Sequence, residues 1–141
     1  MANELPGMTL KAIGVVRKGE PTSDIVINQD LTAALDGLDE FSHIIVIYWM
    51  HQVTTPGQVP TKVRPMGRRE APMVGLFATR SPNRPNPLGK ATVRLLQHQS
   101  NILKVEGLDA IDGTPVIDIK PYIPGYDSVD NAKVPSWITS H

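Results

Sequence analysis

The chain has 141 residues and no cysteine. That excludes disulfide staples, thiolate metal sites and a cysteine nucleophile. Aromatic residues are scarce, at 5%, so Val, Ile and Leu must fill any core. The longest apolar run, Ile44 to Met50, falls far short of the roughly 20 residues that a membrane-spanning helix needs. Met1 to Met8 holds Glu4 and Pro6 and no apolar stretch, which is unlike a secretion signal. The expectation is a cytoplasmic protein without a membrane anchor. There is no G-x-G-x-x-G and no P-loop, so the common nucleotide folds have no support. His43 and His51 share strand parity but stand eight residues apart, about 26 Å at roughly 3.3 Å per residue. No metal site is expected.

Net charge is zero, yet the charge is unevenly spread. Between Thr61 and Arg94 lie Lys62, Arg64, Arg68, Arg69, Arg80, Arg84, Lys90 and Arg94 against the single acid Glu70, a local balance of +7. The remainder carries −7. Such asymmetry points to a local anion site for phosphate, carboxylate or nucleic acid; a solvated basic loop fits the charge equally well.

What the chain does contain is a series of short β-like runs. They are Leu10 to Arg17, Ile25 to Ile27, Ser42 to His51, Met73 to Thr79, Ala91 to His98, Ile102 to Leu108 and Pro115 to Tyr122. Gly, Pro, Asn and Asp punctuate them. Ile44 to Trp49 is apolar on both faces, as in a strand buried twice, between a barrel interior and a partner subunit. In Ile102 to Leu108, Leu103, Val105 and Gly107 face one way and Lys104 and Glu106 the other. Asp112-Gly113 is a hairpin-turn signal, and Asp118 and Lys120 share a face and can pair. Thr32 to Leu38 supports one helical turn. No helical crossover of parallel-sheet length is present. The expected fold is therefore all-β: one domain over residues 1–141, a barrel of short, mostly antiparallel strands. Its core spans residues 10–128, and 129–141 form a loosely held polar tail.

The least ordinary segment runs from Phe77 to Lys90. Pro82, Pro85 and Pro87 each fix φ and bias the preceding residue to an extended conformation. A loop so stiffened holds Arg80, Asn83, Arg84 and Asn86 in place before any ligand arrives, as recognition of a charged or planar ligand requires. His51 and Gln52 end the long apolar strand, where rim contacts gather. Asp109 is not explained by a turn and is free to accept from a hydroxyl or an amino group.

Read together, Ile13-Gly14-Val15-Val16, Leu38 to Ile44, Val63-Arg64-Pro65, Gly75 to Gly89 and Leu108 to Tyr122 resemble the tRNA methyltransferase O (TsaA-like) family, from about Leu10 to Ser128. The resemblance implies a single-sheeted β-barrel, a homodimer, and S-adenosyl-L-methionine as methyl donor. It implies a tRNA substrate, N6-threonylcarbamoyladenosine beside the anticodon, methylated on N6. By position it places the donor against His51, Gln52, Arg80, Lys90, Glu106, Gly107, Leu108 and Asp109, and Arg84 and Asn86 are assigned to substrate. It identifies no catalytic base. Lys90 stands where the family has an apolar residue. The stretch Lys18 to Asp24 is shorter than the donor-touching loop usual there, and longer members carry a further C-terminal domain. These departures motivate a rival reading, a donor-binding regulatory or RNA-binding module without methyl transfer.

Overall fold

The computed structural model describes residues 7–50, 58–65 and 69–138. The strands are β1 (Gly14–Arg17), β2 (Thr22–Ile27), β3 (His43–Trp49), β4 (Lys62–Val63), β5 (Val74–Gly75), β6 (Leu88–Gln99), β7 (Ile102–Glu106) and β8 (Pro115–Pro121). Six of them close into an antiparallel barrel in the order β1-β2-β7-β6-β3-β8, while β4 and β5 form a separate two-stranded ribbon. Period-two alternation is the cause: Val16, Ile25, Ile27, Ile44, Val46, Val93, Leu103, Val105 and Val116 all point inward and are essentially fully buried. A barrel this narrow is filled by its own side chains. Each such aliphatic contributes about 1.5–3 kcal/mol by leaving water.

The strongest seam pairs β3 with β6, from His43↔Arg94 to Trp49↔Leu88. The weakest closes the ring, where β1 meets β8 only at Gly14↔Val116 and Val15↔Pro115. The 28–42 connection crosses one end of the barrel through 3₁₀ turns at Gln29–Leu35 and Leu38–Glu40. Leu35 is buried there, and Leu31 and Leu38 pack on the core. The opposite end is crossed by residues 107–114, with Leu108 and Ala110 as its buried plug.

Several expectations change in detail. Met73 to Thr79 is not a full strand: after the two residues of β5, a 3₁₀ turn, Leu76–Ala78, buries Leu76 and turns the chain away. The first run shortens to Gly14–Arg17 because Leu10 to Ala12 are exposed. Ile44, Ile45 and Val46 are buried, but Ile47, Tyr48 and Trp49 are only partly so. Asp112-Gly113 does make a turn, with Gly113 at φ 85°, but it lies inside a connection between β7 and β8, which are not neighbours. It is therefore no hairpin. Asp112 Oδ1 accepts from the Lys18 N–H at 2.8 Å, tying the β1–β2 loop to that turn. Asp118 and Lys120 do pair, at 3.1 Å.

Candidate functional site

The antiparallel register brings the end of β3, the start of β6, the end of β7 and the start of β8 to one end of the barrel. The described residues expected to hold the donor belong to this end. Lys90 is the third residue of β6, Glu106 the last of β7, and Gly107, Leu108 and Asp109 begin the crossing; Arg80, Arg84 and Asn86 lie in the connection leading into β6. His51 and Gln52 lie outside the described residues.

A cavity of about 480 Å³ opens here, lined among others by Tyr48, Phe77, Arg80, Arg84, Gly89 and Lys90. Arg80 and Lys90, expected on the donor, and Arg84, expected on the substrate, line this one cavity. Asn86 does not: with Trp49, Leu88 and Ile117 it lines a different cavity of about 490 Å³. Leu108 is buried as part of the plug. Glu106, Gly107 and Asp109 are exposed.

The two arginines differ in kind. Arg84 Nη1 donates to the Thr79 carbonyl at 2.8 Å and the Ser81 carbonyl at 3.1 Å. Its guanidinium also sits 5.7 Å from the centre of the Phe77 ring. It bridges the backbone on both sides of Arg80. Thr79 Oγ1 adds a bond to the Leu76 carbonyl. Arg80 is exposed and has no hydrogen-bond or ion-pair partner among the described residues. One arginine is spent on the loop, and the other is presented by it. Asn83 Nδ2 donates to the Gln58 carbonyl at 3.1 Å, and Asn83 Oδ1 is a buried acceptor without a partner among the described residues.

Sequence reasoning passed over Tyr48. It shares inward parity with Ile44 and Val46, packs on the core and still reaches the cavity. Burial raises its phenol above the usual value, and the negative charge of Asp109 raises it further. Tyr48 therefore stays protonated at neutral pH and is no general base. The signal was a lone hydroxyl sharing inward parity with the aliphatic Ile44 and Val46.

Within the tail expected to be loosely held, the stretch Val134 to Ile138 lines a cavity. Val134, Pro135, Trp137 and Ile138 join Val63, Arg64, Pro65, Phe77, Thr79 and Arg80 around a cavity of about 660 Å³. Among the described residues no group of three or more His, Asp or Glu could hold a metal ion, and no helix is long and apolar enough to cross a membrane.

Comparison with known proteins gives the site a context. A probable S-adenosyl-L-methionine-binding protein of Archaeoglobus fulgidus is 45% identical over 118 residues, covering 84% of this chain and 31% of that one. The tRNA (adenine(37)-N6)-methyltransferase of Escherichia coli K12 is 39% identical over 123 residues, covering 84% of this chain and 52% of that one. A crystal structure of TrmO from Pseudomonas aeruginosa superposes with a TM-score of 0.74 at 28% identity, covering 94% of this chain and 62% of that one. The chain thus spans about a third to two-thirds of the length of these relatives. Residues 15–128 match the tRNA-methyltransferase O N-terminal domain, and the chain belongs to that family.

Proposed function

We propose that this protein is an S-adenosyl-L-methionine-dependent tRNA methyltransferase that N6-methylates N6-threonylcarbamoyladenosine next to the anticodon. The observation that carries the reading is the Arg80 guanidinium, without a partner among the described residues and lining one cavity with Lys90 and Tyr48 on the loop that Arg84 braces. The residues fit the donor. It is zwitterionic at its amino-acid end, and Arg80 offers a planar pair of donors suited to a carboxylate. Asp109, at the same end of the barrel, offers an acceptor. A cavity of this size suits a ligand of that class. Held there, S-adenosyl-L-methionine would supply an electrophilic methyl group for an acceptor nitrogen.

The chain's own part is positioning. Arg80, Lys90 and the 106–109 stretch, with His51 and Gln52, hold the donor. The buried Leu108 and Ala110 keep water out of the barrel beneath it. Arg84, expected on the substrate for its affinity for carboxylate or phosphate, has its Nη1 committed to two carbonyls, and we read its part as holding the loop. We also take the chain to be one domain, a homodimer and cytoplasmic, following the resemblance.

A second reading is supported by the name of the Archaeoglobus relative, which specifies binding and not transfer: a donor-binding module without turnover. Incubation of the protein with methyl-labelled donor and bulk tRNA separates the two. Label in N6-methylated nucleoside supports the first; calorimetric donor binding without label transfer supports the second.

A further inference from the structure

Transfer needs an acceptor seat adjoining the donor cavity, because reacting atoms must approach within about 3–3.5 Å. The 660 Å³ cavity meets the 480 Å³ cavity along a common wall of Phe77, Thr79 and Arg80. The cavity holding Asn86 touches the donor cavity only at Leu88 and contains no cationic side chain. The larger cavity is mostly aliphatic and aromatic. Phe77 is 78% exposed, so its ring is open to a ligand on this wall. Trp137 also lines the cavity, beside Val134 and Ile138. Around it Lys62, Arg64 and Arg69 are exposed, part of the stretch whose balance is +7. Aromatic surface beside an arginine, set in a cationic field, is the chemistry that takes unpaired RNA bases, which stack on rings while the field holds the phosphates.

We propose that the cavity walled by Phe77, Arg80 and Trp137 is the acceptor site, seating one unpaired RNA base. Its outer wall is the segment Val134 to Ile138. That segment follows the residues matched to the family, 15–128, so the acceptor seat is completed by sequence outside the shared domain. The assignment rests on the methyltransferase reading above and adds where the base goes and which residues discriminate it.

The test uses the full chain and two RNA probes: an anticodon stem-loop bearing N6-threonylcarbamoyladenosine, and the same stem-loop with that position abasic. Binding is read by fluorescence anisotropy, and donor affinity separately by calorimetry with S-adenosylhomocysteine. Wild-type protein binds the intact loop about tenfold more tightly than the abasic one, a typical stacking contribution. Trp137→Ala loses most of that difference, Trp137→Phe retains it, and both bind the donor product within about twofold of wild type. Equal loss on both RNA probes would mean that Trp137 serves only the general cationic surface, and overturns the proposal. A parallel loss of donor affinity would put the donor in this cavity, and also overturns it. If wild type fails to bind the donor product, the methyltransferase reading falls. The base seat is then still decided by the RNA arms alone. Thermal melting of each variant identifies loss through unfolding; in that case Trp137→Leu, which keeps apolar volume without the ring at a position outside the donor cavity, replaces Trp137→Ala and is judged by the same arms.

Discussion

Tyr48 and Gly89 face each other across the β3–β6 seam, and the tyrosine ring occupies the space a side chain on residue 89 would need. A Cβ there would stand 2.5 Å from both Cε2 and Cζ of the ring. Glycine at this position is a packing requirement, imposed by a ring that both seals the core and lines the cavity. Gly89→Ala forces the ring to move against filled surroundings. We expect a loss of about 1–3 kcal/mol, in the range of overpacked cores. A fall in thermal midpoint of several degrees checks this, together with weaker donor binding as the ring is displaced.

Arg80→Ala should separate binding from folding. The side chain is exposed and unpartnered among the described residues. Its removal should change stability by no more than about 0.5 kcal/mol. Loss of a charge-assisted hydrogen bond should cost roughly 1.5–3 kcal/mol, about ten- to a hundredfold in donor affinity. Melting and calorimetry on the same preparation check both halves. Unchanged affinity would leave Arg80 a solvated loop residue.

Arg84→Ala should do the reverse in its first effect. Two carbonyl acceptors and one ring contact are lost. We expect about 1–2 kcal/mol of destabilisation, with donor affinity falling because Arg80 is no longer held. Arg84→Lys keeps the charge but not the fork and should recover only part of the affinity. Full rescue by lysine would show that charge alone is needed there.

Tyr48 gives the protein an alkaline signature. Its folded pKa lies above the unfolded value, with burial the larger cause and Asp109 the smaller. The protonated phenol is therefore favoured by folding. That stabilisation is complete below the ordinary phenol value and is lost as pH rises through the raised one. The difference in phenolate absorbance between wild type and Tyr48→Phe should have its midpoint above the usual phenol range. Asp109→Asn should lower that midpoint only part of the way, since burial persists.

The dimer implied by the resemblance has a direct test. Met8, Leu10, Trp49, Leu88 and Ile117 line an apolar groove on the barrel. Light scattering at micromolar concentration should report twice the chain mass, and Leu88→Asp, at a position 39% exposed, should halve it.

Much of this architecture could be read from the residues, because alternation in short aliphatic runs specifies strands and inward faces directly. Leu103 and Val105 inside with Lys104 turned out is a local pattern, and it holds. Strand order is non-local. The Asp112-Gly113 pair reads as a hairpin because its chemistry is that of a tight turn, and only the ring closure places its flanking strands apart. The same distinction applies at the site. Arg80 and Lys90 could be anticipated from a motif, whereas the division of labour between Arg80 and Arg84 depends on which carbonyls lie within reach. Trp137 escaped notice because a single ring in a short tail has no periodicity to announce it.

The two-rung closure between β1 and β8 has a dynamic consequence. Pro115 supplies no N–H to that seam, and the amides of Ile13 and Val16 reach across it to Val116 and Thr114. These few bonds form the part of the ring with least to break, so transient opening should start there. Deuterium should enter at Ile13 and Val16 before it reaches the amides of β3 or β6. Because the 107–114 crossing is anchored beside this seam, a molecule held by Glu106 to Asp109 would act as a latch on it, and its arrival should be visible as slowed exchange in a strand it never touches.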